Sequence, residues 1–174
     1  IKSARVMNKA VSSLMPLIKN ENNSVEAVVK RKIILATVDG DVHDIGKNIL
    51  SLVLQSNNFE VKDLGVMVSS KEIIERVKEE KPDMVGLSGL ITPSLDKMVD
   101  FIKEAEKEKI NLPILIGGAT TSSLHTAIKM APKYSGVVVQ VPDASQSVSL
   151  VNQLVSEDSV SMIKEIKKKQ TELR

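Results

Sequence analysis

Residues 33–56 read Ile-Ile-Leu-Ala-Thr-Val-Asp-Gly-Asp-Val-His-Asp-Ile-Gly-Lys-Asn-Ile-Leu-Ser-Leu-Val-Leu-Gln-Ser, a strand, a loop and a helix in succession. Ile33–Val38 is an unbroken apolar run, as expected of a strand covered on both faces of a parallel sheet. A polar, glycine-containing loop follows, and residues 45–56 return to apolar residues at helical spacing. The same unit recurs along the chain. Strand-like runs lie at Phe59–Leu64, Met84–Leu87, Ile114–Ile116 and Val137–Val141, with helical segments at about 70–81, 94–109 and 121–131 and another beginning near Ser145. Five strands alternating with helices predict an α/β fold: a doubly wound, five-stranded parallel sheet of the flavodoxin-like (Rossmann-like) kind.

The flanks differ from this core. Residues 2–19 predict an amphipathic helix, with Val6, Ala10, Leu14 and Leu17 on one stripe beside Met7, Val11 and Ile18, and Asn20–Ser24 is a polar break. Residues 157–174, with their lysine run, predict a charged helix or linker whose cations form a solvated face.

Composition narrows the function classes. The chain has 174 residues, a net charge of +2, 2% aromatic residues and no Trp. It therefore lacks both the basic field and the stacking platforms of nucleic-acid binders. No apolar run approaches the length of a membrane span and no signal-peptide pattern opens the chain, so a soluble, cytoplasmic protein with no membrane partner is expected. Cys is absent and only His43 and His125 are present. A disulfide framework, a thiolate zinc site, a cysteine nucleophile and a multi-histidine site are thereby excluded or made improbable. A metal here is expected to arrive inside a cofactor that brings most of its own ligands.

In this fold class ligands bind at the carboxyl ends of the strands, near the reversal of strand order. Small and polar residues gather there. Gly40–Asn48 follows the first strand, Ser88–Ser94 the third, Gly117–Ser122 the fourth and Pro142–Ser145 the fifth. The first loop is not a dinucleotide fingerprint, since Gly-x-Gly-x-x-Gly is missing. It is also not a phosphate loop. Five residues rather than four separate Gly40 from Gly46, Asn48 replaces the magnesium-binding hydroxyl, and Asp41 and Asp44 would repel phosphate. What remains is Asp41-x-His43-x-x-Gly46. A carboxylate two residues from a histidine can hold one imidazole N–H and leave the other nitrogen for a metal. The plainer reading is a histidine near a helix N-terminus, with Asp41 or Asp44 as its cap. Gly46 and the three matching loops favour the metal-ligand reading.

Asp41-x-His43-x-x-Gly46, Ser88-x-Leu90 and Gly117-Gly118 together resemble the signature of the cobalamin-binding domains of methionine synthase, corrinoid methyl carriers and some mutases. Ser88–Leu95, Gly117–Ser122 and His125-Thr126-Ala127 are similar to the methionine synthase family in particular, and the likeness extends to Lys2–Met7. The resemblance implies that His43 is the metal ligand, replacing the cofactor's own base beneath cobalt. Asp41 would hydrogen-bond His43, and Ser94 would hydrogen-bond Asp41, so these three would form the catalytic relay. The displaced nucleotide tail would thread beside Gly46, Ser88, Leu90, Gly117 and Gly118. Thr92 and Ala144, with the loop of Gly40, Asp41, Val42, His43, Asp44 and Ile45, would contact the corrin.

The resemblance further implies a division into residues 1–23, the last helix of a helical cap; 24–31, a linker; 32–156, the cobalamin-binding α/β domain; and 157–174, a terminal helix or linker. The cofactor would be cobalamin in its methyl-carrying form, with the methyl group passing from methyltetrahydrofolate to homocysteine in methionine synthesis. The chain would be one part of a larger methyltransferase, whose modules for homocysteine, methyltetrahydrofolate and S-adenosylmethionine lie elsewhere. Alternatives are a corrinoid carrier of a methanol or methylamine methyltransferase system, a mutase domain, a cobalamin-binding sensory module and a cobalamin-free flavodoxin-like regulator. His125 is expected on the fourth helix and not as a ligand, and Met98 and Met130 in the core. Tyr134 and Lys47 have no role readable from sequence.

Overall fold

A computed structural model describes residues 31–156 and 159–174. The helix expected at 2–19, the polar break and the linker up to residue 30 lie outside the described residues. A five-stranded, all-parallel sheet is ordered β2-β1-β3-β4-β5. Its strands are β1 (Lys32–Thr37), β2 (Glu60–Asp63), β3 (Met84–Ser88), β4 (Ile114–Gly117) and β5 (Val138–Gln140). Strand order reverses between β1 and β3, which places the fold's binding crevice at their carboxyl ends.

The unbroken apolar strands are explained by burial on both faces. On one face Ile34, Ala36, Val85, Leu87, Ile114 and Ile116 pack beneath α2 (Ser70–Glu80) and α3 (Thr92–Lys107), which contribute Ile73, Ile74, Met98, Phe101 and Ile102. On the other, Ile33, Leu35, Met84, Leu115 and Val139 pack beneath α1 (Ile45–Ser56) and α5 (Ala144–Val155), which contribute Leu54, Val151 and Leu154. Met98 and Met130 are fully buried, as expected.

Two segments depart from the sequence reading. The helix expected at 121–131 is broken into α4 (Ser123–His125), a π-helical turn (Thr126–Met130) and a 3₁₀ turn (Ala131–Lys133). Ser122 caps the start by accepting from the His125 amide at 3.1 Å. At the other end Pro132 has no N–H to continue an α-helix and its ring crowds the preceding turn. Helix α3 begins at Thr92 rather than 94, because Pro93 fits the first turn, where a missing N–H costs nothing.

The charged C-terminal segment does more than solvate. It forms α6 (Ser159–Glu172), whose Met162, Ile163 and Ile166 pack against the α1/α5 side of the core. The Gln170 amide donates to the Val138 carbonyl at 2.7 Å, occupying an acceptor on β5, an edge strand of the sheet. Lys167 donates to the Ser135 carbonyl at 2.7 Å, and Arg174 to the Ala127 carbonyl at 2.9 Å. Among the described residues no helix is long and apolar enough to cross a membrane.

Candidate functional site

The β1–α1 loop turns at Gly40, whose φ of +78° suits glycine, and then presents Asp41 and His43. The Asp41 side chain has no exposed surface, whereas that of His43 is 49% exposed. One carboxylate oxygen of Asp41, Oδ1, accepts from the His43 backbone amide at 3.0 Å and lies 2.7 Å from His43 Nδ1. The other, Oδ2, accepts from Ser94 Oγ at 2.6 Å and from the Leu90 amide at 2.6 Å. Burial by itself would raise the Asp41 pKa. The hydrogen bonds from Ser94, Leu90 and His43 outweigh it and hold the carboxyl well below its ordinary range.

That balance fixes the imidazole. An ionised carboxylate only accepts, so Nδ1 carries the proton and Nε2 keeps a lone pair. Thr37 Oγ1 donates to the His43 carbonyl at 3.2 Å and steadies the same loop. The plainer helix-cap reading does not describe Asp44. It occupies the N-cap position of α1 without a side-chain cap bond, and its carboxylate instead accepts from Asn48 at 3.0 Å. Among the described residues no group of three or more His, Asp or Glu side chains could hold a metal.

Beside the loop a slot of about 320 Å³ runs between the sheet and helices α1 and α5. The strand faces show why it exists. On β3 the residues facing this side are Met84, Gly86 and Ser88, and on β4 Leu115 gives way to Gly117, so side-chain bulk falls away toward the carboxyl edge. Gly46, Lys47 and Leu50 of α1 form one wall, and Val141, Pro142, Asp143 and Ala144 another. A Cβ at Gly46 would meet nothing within 4 Å, and one at Gly117 only the Leu87 carbonyl at 3.8 Å.

Of the residues expected to receive a nucleotide tail, Gly46, Ser88, Gly117 and Gly118 line the slot, and so does Ala144, expected to touch the corrin. Leu90 is not among the lining residues. Its amide serves Asp41 and its side chain is exposed. Thr92 starts α3 and is exposed at the same edge. Val42 and Ile45 are exposed too, as are Val66, Met67 and Ile91.

Sequence reasoning missed Gly86, Leu35, Leu50 and Leu115 as slot walls. A lone glycine inside an apolar strand is the available signal. It also left Lys47 and Tyr134 without roles. Lys47 is buried in the slot wall and ion-paired with Asp63, so its ammonium is not held out for a phosphate. The Tyr134 hydroxyl donates to the Leu112 carbonyl at 2.8 Å and accepts its amide at 3.0 Å, and burial pushes its pKa up to about 12. His125 ends α4, and its Nδ1 is buried with no hydrogen-bond partner among the described residues.

Comparison with known proteins supplies the class of ligand. A family model described as B12 binding domain matches residues 31–148. A novel cobalamin-binding protein from Desulfitobacterium hafniense DCB-2 is 32% identical, with a TM-score of 0.66 over 88% of this chain and 68% of its own. A monomethylamine corrinoid protein of Methanosarcina barkeri is 25% identical, with a TM-score of 0.72 over 88% and 69%. The methanol:cobalamin methyltransferase complex of the same organism shares the fold at 23% identity, with a TM-score of 0.71 over 91% of this chain and 59% of that one.

Proposed function

The chain belongs to the B12-binding domain family and takes cobalamin as its cofactor, and from that premise we propose that it is the cobalt-carrying module of a cobalamin-dependent methionine synthase. The observation that carries this reading is His43, its Nδ1 bonded to a buried, ionised Asp41 and its ring half exposed, three residues before Gly46 in the slot wall. His43 would be the protein's ligand to cobalt through Nε2, with Asp41 and Ser94 as positioning residues. Gly46, Ser88, Gly117 and Gly118 would line the path of the nucleotide tail, and the exposed Val42, Ile45, Leu90 and Ile91 would lie against the corrin. Cobalamin, when bound, supplies a cobalt that accepts and gives up a methyl group.

The protein residues then have defined tasks. Asp41 Oδ1 holds the proton on His43 Nδ1 and leaves Nε2 as the nitrogen that would face the metal. Ser94 Oγ and the Leu90 amide keep Asp41 from rotating away. Homocysteine, methyltetrahydrofolate and S-adenosylmethionine would be handled by other modules. The resemblance of Ser88–Leu95 and Gly117–Ser122 to methionine synthase supports that choice. The monomethylamine corrinoid protein, at 25% identity, supports a second reading as carrier for a methylamine or methanol methyltransferase.

The test is electron spin resonance of the cobalt(II) protein grown with labelled histidine. Nitrogen coupling from the label, lost in His43→Gly, is expected. A signal blind to the label would refute ligation by His43. Adding modules for homocysteine and methyltetrahydrofolate should then yield methionine. Turnover only with methanol or methylamine modules would replace the first reading by the second.

A further inference from the structure

The floor of the slot bears on which corrinoids the chain accepts. We propose that Gly86 sets the depth of the slot, and that the chain thereby selects corrinoids whose tail ends in an apolar, benzimidazole-type bicycle over those ending in a purine or lacking a tail. This rests on the reading above, in which His43 sends the cofactor's own base into the slot.

Parallel register places Leu35, Gly86, Leu115 and Val139 in one row across β1, β3, β4 and β5. Only the β3 member has no side chain. A Cβ there would lie 2.5 Å from Leu35 Cδ2 and 4.0 Å from Leu115 Cβ. The neighbours thus already lean over the gap, and what remains is a shallow aliphatic channel suited to a flat ring. Leu50 closes it from α1.

Chemistry adds to shape. The backbone of β3 is committed to its two neighbouring strands, and the Lys47 ammonium is engaged by Asp63 and Asn48. Polar slot residues such as Ser88 and Asp143 stand above the row, toward the carboxyl edge. A benzimidazole carries only carbon along the edge that would point to Gly86. A purine would bury ring nitrogens or an amino group there without partners. Each such orphan weakens binding by roughly tenfold.

Spectroscopic titration of the full chain with cobalamin, an adenine-tailed cobamide and tail-less cobinamide tests this. Wild type should bind cobalamin at least about tenfold more tightly than either of the others. Gly86→Val should lower cobalamin affinity to the cobinamide level while leaving cobinamide affinity unchanged, which also shows that the variant is folded. Leu50→Phe, which fills the slot from the helix, should act likewise without touching the strand. Cobalamin affinity that survives both substitutions, or an adenine-tailed cobamide bound as tightly as cobalamin, overturns the proposal. Failure of the underlying reading looks different: wild type would then show no histidine-ligated spectrum with any of the three, cobinamide included.

Discussion

A carboxylate with no exposed surface persists only where its lone pairs are filled, and Asp41 fills them with the His43 amide and ring, Ser94 Oγ and the Leu90 amide. Asp41→Asn keeps the shape but turns an NH₂ toward groups that are themselves donors. It should cost about 2–4 kcal/mol at neutral pH, measured by urea unfolding. The pH dependence has a fixed sign. Asp41 is held below the usual carboxylate range in the folded state, so its contribution is present above the unfolded value of about 3.9. It is lost as pH falls toward and through the folded value. The gap between wild type and Asp41→Asn should therefore narrow in acid, and a gap constant from pH 7 to pH 3 would contradict the assignment. At this scale the Asp-x-His spacing was legible because it is local. The part of Leu90 was not, since its contribution is a backbone amide that any residue supplies.

Between elements, two glycines lock the β3–α3 and β4–α4 loops together. A Cβ on Gly118, where φ is +120°, would fall 1.8 Å from the Gly89 carbonyl oxygen, and a Cβ on Gly89 would fall 2.5 Å from Ser94 Cβ. The slot loop thus abuts the loop that delivers Ser94 and the Leu90 amide to Asp41. Gly118→Ala should push that second loop away, at a cost of about 2–4 kcal/mol in strain and overpacking. It should also speed hydrogen exchange at the Leu90 amide more than at amides of β1. Uniform exchange across the molecule would mean the two loops are not coupled. Sequence made the paired glycines conspicuous but not their contact, which depends on where the fold brings the loops. Gly86 was harder still to read, because an apolar strand interrupted by one glycine still reads as a continuous strand.

Over the whole molecule, alternation of strands and helices was enough to state the sheet and its likeness to flavodoxin. The breaks around Pro132 and the seating of α6 were not readable. The first is a balance of local geometries, and the second depends on few apolar residues among many lysines. The bare stretch of sheet over Gly86, Ser88 and Gly117 has a consequence for heat resistance. If the cofactor's tail fills the slot as proposed, the interior is finished on that side by a guest rather than by the chain, so mass action links folding to the guest's concentration. At a cobalamin concentration of 100 times Kd the folded state gains about 2.7 kcal/mol. For a domain of this size that raises the melting temperature by roughly 5–10 °C. Calorimetry at a series of cobalamin concentrations should show the melting temperature still climbing after the site is full. In Gly86→Val, where a side chain takes the guest's place, the climb should set in only at far higher concentrations. The cell's supply of the vitamin would then govern how long this protein lasts as well as how fast it works.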